Sequence, residues 1–345
     1  MSETPQLALA QVLQPAPRFK NTITASSLAT LFSCQRRFYL AHEVGWKKPE
    51  TSDALRFGSA FHAALEARAK GADFPDAMCA AVATAEGDEL DAATVATLEG
   101  LVAGYYARYN PAEGRDEVSE MHPEITFAIK HPAARGFTLR GKIDGLCVFR
   151  NGQTGIIEHK TTSEDIAVGA LYWDTINRDQ IALYGIAAER NGWPVDVYLY
   201  DVIRKPTIKI KQDETADDFA KRLKADAIGA EETGTTKDGK PKVVKRGEDF
   251  YYQRREIAVL ADDKARLERR LKVATRLIKG NRKQGAQFAA AGIYEGEAWG
   301  KCGSVLVCRS CPYRGICDSE ELPKDAGWER GHLFEELAEK NGANK

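Results

Sequence analysis

Two short segments carry side chains that together could hold a divalent cation and cleave a phosphate ester. Gly141-Lys142-Ile143-Asp144-Gly145-Leu146 places an aspartate between glycines at the end of an apolar run. Fourteen residues after Asp144 comes Glu158, in Ile156-Ile157-Glu158-His159-Lys160-Thr161-Thr162. Side chains alternate along a strand, so Glu158 and Lys160 point to one face and His159 to the other. If the segments are neighbouring strands, Asp144, Glu158 and Lys160 converge on one pocket. Carboxylates are hard oxygen ligands suited to Mg2+ or Mn2+. Such an ion polarises a phosphate and acidifies a bound water. A lysine ammonium beside it can orient that water and offset charge developing in the transition state. The same residues also read as an ordinary hairpin with an exposed Asp and a Glu/Lys face, because short motifs match often.

Other groups with chemical potential lie on either side. His62 ends Gly58-Ser59-Ala60-Phe61-His62 within a helical pattern. Gln180 and Tyr184, in Gln180-Ile181-Ala182-Leu183-Tyr184, are four apart and share a helix face. Of seven cysteines, Cys302, Cys308, Cys311 and Cys317 fall within sixteen residues. Crowding of this kind in a reduced compartment points to metal ligation before disulfides. Cys79 and Cys147 stand alone in apolar surroundings, as core residues do.

The elements that must position these groups follow from periodicity. Thr24-Ala25-Ser26-Ser27 offers N-cap chemistry for a helix carrying Leu28, Leu31, Phe32, Cys34, Phe38 and Tyr39. Helical patterns at 54–70, 74–86 and 91–109 make the first third α-rich. Ile125–Ile129, Phe137–Arg150 and Gly155–Lys160 then read as strands, with Asn151-Gly152 as a hairpin turn. A helix at about 170–191 and a strand at Val195–Val202 follow. The order β-β-β-α-β describes a mixed sheet with a crossing helix. Residues 214–228 read as a helix, and the polar, Gly- and Lys-rich stretch 231–248 as an exposed loop. From Leu260 to about 282, Leu267, Leu271, Ala274 and Ile278 repeat at helical spacing. Between Gln253 and Lys283 eleven Lys/Arg face four Asp/Glu, an excess of seven positive charges. That excess reads either as a solvated helix face or as a stripe that follows phosphates.

Bulk properties set the outer limits. A 345-residue chain with 43% hydrophobic and 29% charged residues can bury a sizeable core. Its formal net charge of −1 does not by itself advertise a polyanionic partner. No run of about eighteen apolar residues predicts a membrane span, and residues 1–22 read as a flexible leader without a secretory signal, so the cytoplasm is the expected location.

Taken in order, these motifs resemble the RecB-type branch of the PD-(D/E)XK nucleases, which includes CRISPR-associated and phage exonucleases. Asp144 matches the branch's motif aspartate, Glu158-His159-Lys160 its E-x-K, Gly58 to His62 its helical G-x-x-x-H, and Gln180 to Tyr184 its Q-x-x-x-Y. The resemblance covers about residues 24–204 and the cysteine-rich tail. It implies a restriction-endonuclease-like α/β core with a mixed sheet flanked by helices, an α-rich N-terminal part and a cysteine-rich C-terminal tail. It implies one nuclease domain over 23–320, with a catalytic core at 123–204, a basic helix at 260–282, a cluster-binding segment at 302–317 and a tail at 321–345. His62, Asp144, Glu158 and the backbone carbonyl of His159 become metal ligands, Lys160 a catalytic partner, and Gln180 and Tyr184 positioners of DNA that is single-stranded or has free ends. Cys308, Cys311 and Cys317, with Cys34, resemble the branch's four ligands to a 4Fe–4S cluster, which thiolates suit. Cys302 is a fifth candidate that could displace Cys308, and a zinc staple is the alternative occupant. A DNA-binding scaffold that has lost catalysis is the rival from another class. Erosion of the Asp or the E-x-K would mark it, and both are intact here.

Overall fold

The computed structural model describes residues 21–47, 52–84, 90–228, 232–235, 241–244, 248–319 and 329–330. Most of the expected leader and tail therefore lies outside the described residues.

The chain opens with strand β1 (Thr22–Ile23), helix α1 (Ala25–Ser33), a short helix α2 (Gln35–Phe38), a π-helical turn (Tyr39–Val44) and β2 (Trp46–Lys47). Helices α3 (Asp53–Ala69), α4 (Phe74–Ala83) and α5 (Ala92–Arg108) follow. Next come β3 (Val118–Lys130), β4 (Thr138–Phe149), β5 (Thr154–Thr162), α6 (Arg178–Arg190), β6 (Val197–Arg204) and α7 (Ala216–Ala227). The chain continues through β7 (Glu232–Thr235), β8 (Pro241–Val244), β9 (Tyr252–Glu256), the long α8 (Ala261–Ala290), α9 (Val305–Arg309), α10 (Arg314–Ser319) and β10 (Glu329–Arg330).

β4 is the hub of a six-stranded mixed sheet ordered β1-β4-β5-β6-β9, with β3 also paired to β4. β3 runs antiparallel along one side of β4, from Val118↔Phe149 to Lys130↔Thr138. On its other side, residues 138–139 pair with β1 in parallel and 145–148 pair with β5 antiparallel. Residues 140–144 thus face a notch where β1 has ended and β5 has diverged. β5 then pairs in parallel with β6, setting Glu158 opposite Tyr200 and His159 opposite Asp201. The Asn151-Gly152 turn closes as expected: Gly152 has φ +84°, and the Asn151 side chain accepts the Gln153 N–H at 3.0 Å.

Period-two alternation divides the sheet between two layers. Ile143, Ile156, Tyr198, Tyr200 and Val202 face α1, α6 and α8. Ile203 and Tyr252 pack with α3, α5 and α7. α8 buries Leu267, Leu271, Ala274 and Ile278, the residues whose spacing predicts it, and runs on to Ala290. The result is the mixed α/β sandwich of a restriction-endonuclease-like fold.

Several local expectations are corrected. The first helix does not run through Tyr39. Cys34 is extended (φ −160°, ψ 116°) and caps α2, its Sγ accepting the Arg37 N–H at 3.4 Å. The segment 231–248, read as loop, contains the antiparallel β7–β8 ribbon. The helix expected from 170 starts at Arg178, because Asn177 caps it by accepting the Gln180 N–H at 3.2 Å. Cys147 is buried, but Cys79 is exposed: α4 buries Ala77 and Ala81, and Cys79 falls on the opposite face.

Candidate active site

The notch beside residues 140–144 opens into a cleft of about 270 Å3, lined among others by Ser26, Lys142, Asp144, Glu158, Lys160 and Gln180. Asp144, Glu158 and Lys160 therefore meet at this notch, where the two strands have diverged. Glu158 is 1% exposed. Its Oε1 accepts from the Lys160 ammonium and from Gln180 Nε2 at 2.8 Å, and Gln180 also reaches the Tyr184 hydroxyl at 3.2 Å. Its Oε2 is buried without a hydrogen-bond partner. An orphaned carboxylate oxygen is costly in a folded protein and calls for a ligand.

Asp144 is nearly buried, and its Oδ2 accepts the main-chain N–H of His159 at 2.8 Å. His62, reaching from α3, places Nδ1 at 3.8 Å from the same oxygen. The imidazole of His159 points away from Glu158 and Lys160, as strand alternation requires. Its Nδ1 lies 2.9 Å from Asp201 Oδ2 on the opposite face.

Electrostatics follow from this crowding. Burial, with Asp144 close by, pushes Glu158 up to about 8. Burial also disfavours the Asp144 carboxylate, but His62, Lys160 and the His159 contacts outweigh it and hold the pKa below the usual range. Lys160 is desolvated, yet the two carboxylates hold it firmly protonated. Burial lowers His62 to about 4, which leaves a neutral imidazole with a lone pair to offer.

One acidic residue escaped the sequence reading. Glu124, on β3, sits opposite Asp144, between the pairs Pro123↔Gly145 and Ile125↔Ile143. Its φ of +57° lies in the left-handed region that side chains other than glycine seldom adopt. Ligand atoms of His62, Glu124 and Asp144 all lie within 4.8 Å of one another, and Glu124 also pairs with Lys142. The only sequence signal was a Pro-Glu interruption in a strand, which says nothing about direction.

The cysteines lie apart from the residues that line the cleft. Cys34, Cys302, Cys308, Cys311 and Cys317 are all half-buried, and the Sγ atoms of Cys302 and Cys308 are 3.4 Å apart. The N-terminal helices dock on the chain just before this segment. The Arg36 N–H donates to Gly300 O at 3.0 Å, its side chain pairs with Glu297 at 2.7 Å, and Phe38 stacks on Trp299. Among the described residues, His62, Glu124 and Asp144 form the one group of three or more metal-type ligands already gathered this closely.

The basic helix is less free than its composition implies. Arg270 pairs with Asp179 at 2.6 Å and covers Phe32, Arg282 pairs with Glu43 at 2.8 Å, and Lys264 with Glu189 at 2.7 Å. Arg269 stays 65% exposed.

Such a fold, with an aspartate and an E-x-K on adjacent strands facing one cleft, is the signature of a known nuclease class. The chain belongs to the PD-(D/E)XK nuclease superfamily, whose family model matches residues 22–318. No curated protein matches the sequence. Solved structures similar to it include SSO0001, at 12% identity, covering 92% of this chain and 94% of that one with a TM-score of 0.34. Another is a candidate exonuclease from Eubacterium rectale, also at 12% identity, covering 90% and 93% with a TM-score of 0.43. Membership defines a nuclease. Among the described residues no helix is long and apolar enough to cross a membrane.

Proposed function

We propose that the chain is a Mg2+- or Mn2+-dependent deoxyribonuclease of the RecB type, acting on single-stranded or free-ended DNA in the cytoplasm, with a 4Fe–4S cluster joining its two ends. The observation that carries the nuclease reading is the unpartnered, buried Oε2 of Glu158, in a cleft shared with Asp144 and Lys160. Asp144, Glu158, His62 and the main-chain carbonyl of His159 are the proposed ligands. The donor set of carboxylates and a neutral imidazole fits such an ion. When bound, a divalent cation supplies Lewis acidity toward the phosphate and the attacking water.

The chain's own residues do the rest. Lys160 holds its proton and presents a fixed positive charge where negative charge develops on the phosphate. Gln180 holds Glu158 by its Oε1, so Oε2 keeps a single direction, and Tyr184 in turn steadies Gln180. This adds orientation of the carboxylate to the DNA-positioning role read from sequence for these two residues. For the cluster, Cys34, Cys308, Cys311 and Cys317 are the proposed ligands with Cys302 as the alternate. Cys308 lies against the alternate, Cys302, with their Sγ atoms 3.4 Å apart, and thiolates suit soft iron.

Incubation of end-labelled single-stranded, double-stranded and closed circular DNA with Mg2+ or Mn2+ tests the reading. Degradation of linear DNA and survival of circles is expected. Absence of cleavage from every substrate with either ion, by protein that binds DNA, would move the chain to the scaffold class.

Glu124 bears on metal affinity. Glu124→Gln is expected to weaken Mn2+ binding about 10-fold, the scale on which groups around a metal tune it. Calorimetric titration with Mn2+ checks this, and unchanged affinity would leave Glu124 as a partner of Lys142 alone. The basic helix gives another expectation. Arg269→Glu with Lys272→Glu should weaken DNA binding and lower the log K against log salt slope by about 0.7–0.9 for each phosphate that the helix no longer neutralises. Arg270 is left intact in that variant because it anchors α8 to Asp179. An unchanged slope would assign the exposed charges of α8 to the solvent.

A further inference from the structure

Behind the cleft, on the opposite face of β5, lies a chain of buried charges that the chemistry above does not use. Asp201, on β6, is fully buried. Its Oδ2 lies 2.9 Å from His159 Nδ1, accepts the Tyr105 hydroxyl, and is 3.4 Å from Arg254 Nε. Arg254, on β9, lies over the Tyr109 ring at 3.6 Å and pairs with Asp116 at 2.7 Å. Asp116 pairs in turn with Arg68 at 2.9 Å. Two arginines thus balance two aspartates along this chain.

Enclosing the Asp116, Asp201 and Arg254 charges is an expensive way to fill space. Apolar side chains of similar volume often do as well or better for stability. What the charges specify is position. Arg68 sits on α3, six residues after His62. At the other end of the chain, the His159 ring is tethered on the strand residue between Glu158 and Lys160. The main-chain N–H of that same residue holds Asp144 Oδ2 at 2.8 Å. The network therefore connects the helix that bears His62 to the strand that bears Glu158 and Lys160. A shift or twist of β5 at His159 would move Asp144, Glu158 and Lys160 together.

We propose that Asp201 is a positioning residue for the nuclease reaction, acting through His159 and, with Arg254, fixing the separation of His62 from the carboxylates. This rests on the nuclease reading above. Hydrogen-bonded carboxylates that orient metal-site residues behave in this way in other proteins, and their loss lowers metal affinity or activity about 10–100-fold.

Two variants test the proposal: Asp201→Asn, and the triple His159→Leu, Asp201→Leu, Arg254→Met, which removes the buried chain while leaving the Arg68–Asp116 pair whole. Mn2+ affinity by calorimetry and kcat on linear DNA should each fall about 10–100-fold. KM and DNA affinity measured in Ca2+ should stay near wild type. A folded variant, judged by near-ultraviolet circular dichroism, that keeps wild-type Mn2+ affinity and kcat would overturn the proposal. So would failure of both variants to fold, since the network would then be a requirement of folding. A wild type that neither binds Mn2+ nor cuts DNA would instead overturn the nuclease reading itself.

Discussion

Lys160→Ala, purified and folded, is expected to cut DNA at least about 10³-fold more slowly than the wild type while binding DNA almost as well. The ammonium is held in place by the Glu158 carboxylate and kept charged by two acidic neighbours. It therefore costs no reorganisation when charge develops on the phosphate, and its removal is felt only in the transition state. Stability should change little, because burial already pushes the Glu158 carboxyl upward and it can take a proton once its partner is gone. Asp144→Asn should abolish turnover to a similar degree for a different reason. It keeps an oxygen to accept the His159 N–H and removes only the charge that a cation would meet. Asp144→Ala is the harsher choice, since it strands a buried N–H at a cost of about 1–3 kcal/mol. Loss of charge at 144 removes the favourable interactions with His62, Lys160 and His159 that hold its pKa down, so the metal-free Asn variant should melt modestly below the wild type at neutral pH. Single-turnover cleavage and thermal melts of the same preparations check both statements. Wild-type rates from either variant would remove Asp144 or Lys160 from the chemistry.

Strand alternation and the Asn-Gly turn suffice to predict the β4–β5 hairpin and a common cleft for Asp144, Glu158 and Lys160, because both rules are local. The long α8 follows from the helical spacing of Leu267, Leu271, Ala274 and Ile278. What stayed hidden depends on direction or on distant partners. Glu124 enters the site through a left-handed backbone angle that no composition encodes. β9 is a strand made of Tyr-Gln-Arg-Arg-Glu, without apolar alternation. Its Arg254 is buried only because Asp201 and Asp116, remote in sequence, receive it. Asp201 itself sits within an apolar run, where a strand reading passes over it. The break at Cys34 has the same origin: helical spacing continues through the residue, and only the geometry of its cap reveals that the chain turns there.

That break makes the proposed thiol ligands testable by a clean substitution. Cys34 caps α2 through its side chain, and serine is among the preferred residues at a helix N-cap, so Cys34→Ser preserves the local turn. Any large loss must then come from the thiolate. Cys34 and Cys308 are 274 positions apart. By the chain-entropy model of a disulfide, a bond through iron that closes so long a loop removes about 5 kcal/mol of unfolded-state entropy. This is comparable to the whole stability of many domains. Arg36, Phe38 and Tyr39 already dock on residues 295–299, a few residues before the tail cysteines. Cys34→Ser, Cys311→Ser and Cys317→Ser are each expected to yield colourless protein without iron, sensitive to protease and melting far below the wild type. The wild type, purified without oxygen, should be brown with four irons per chain. Cys302 and Cys308 lie side by side, and one of them should tolerate serine. The Cys-x2-Cys spacing to Cys311 selects Cys308 as the ligand, so Cys302→Ser should keep iron and Cys308→Ser should lose it. Stoichiometric zinc without iron in the anaerobic wild type would replace the cluster by a zinc staple and leave the nuclease site untouched. Full iron content and stability in Cys34→Ser would break the link between the two ends, whatever metal the tail holds.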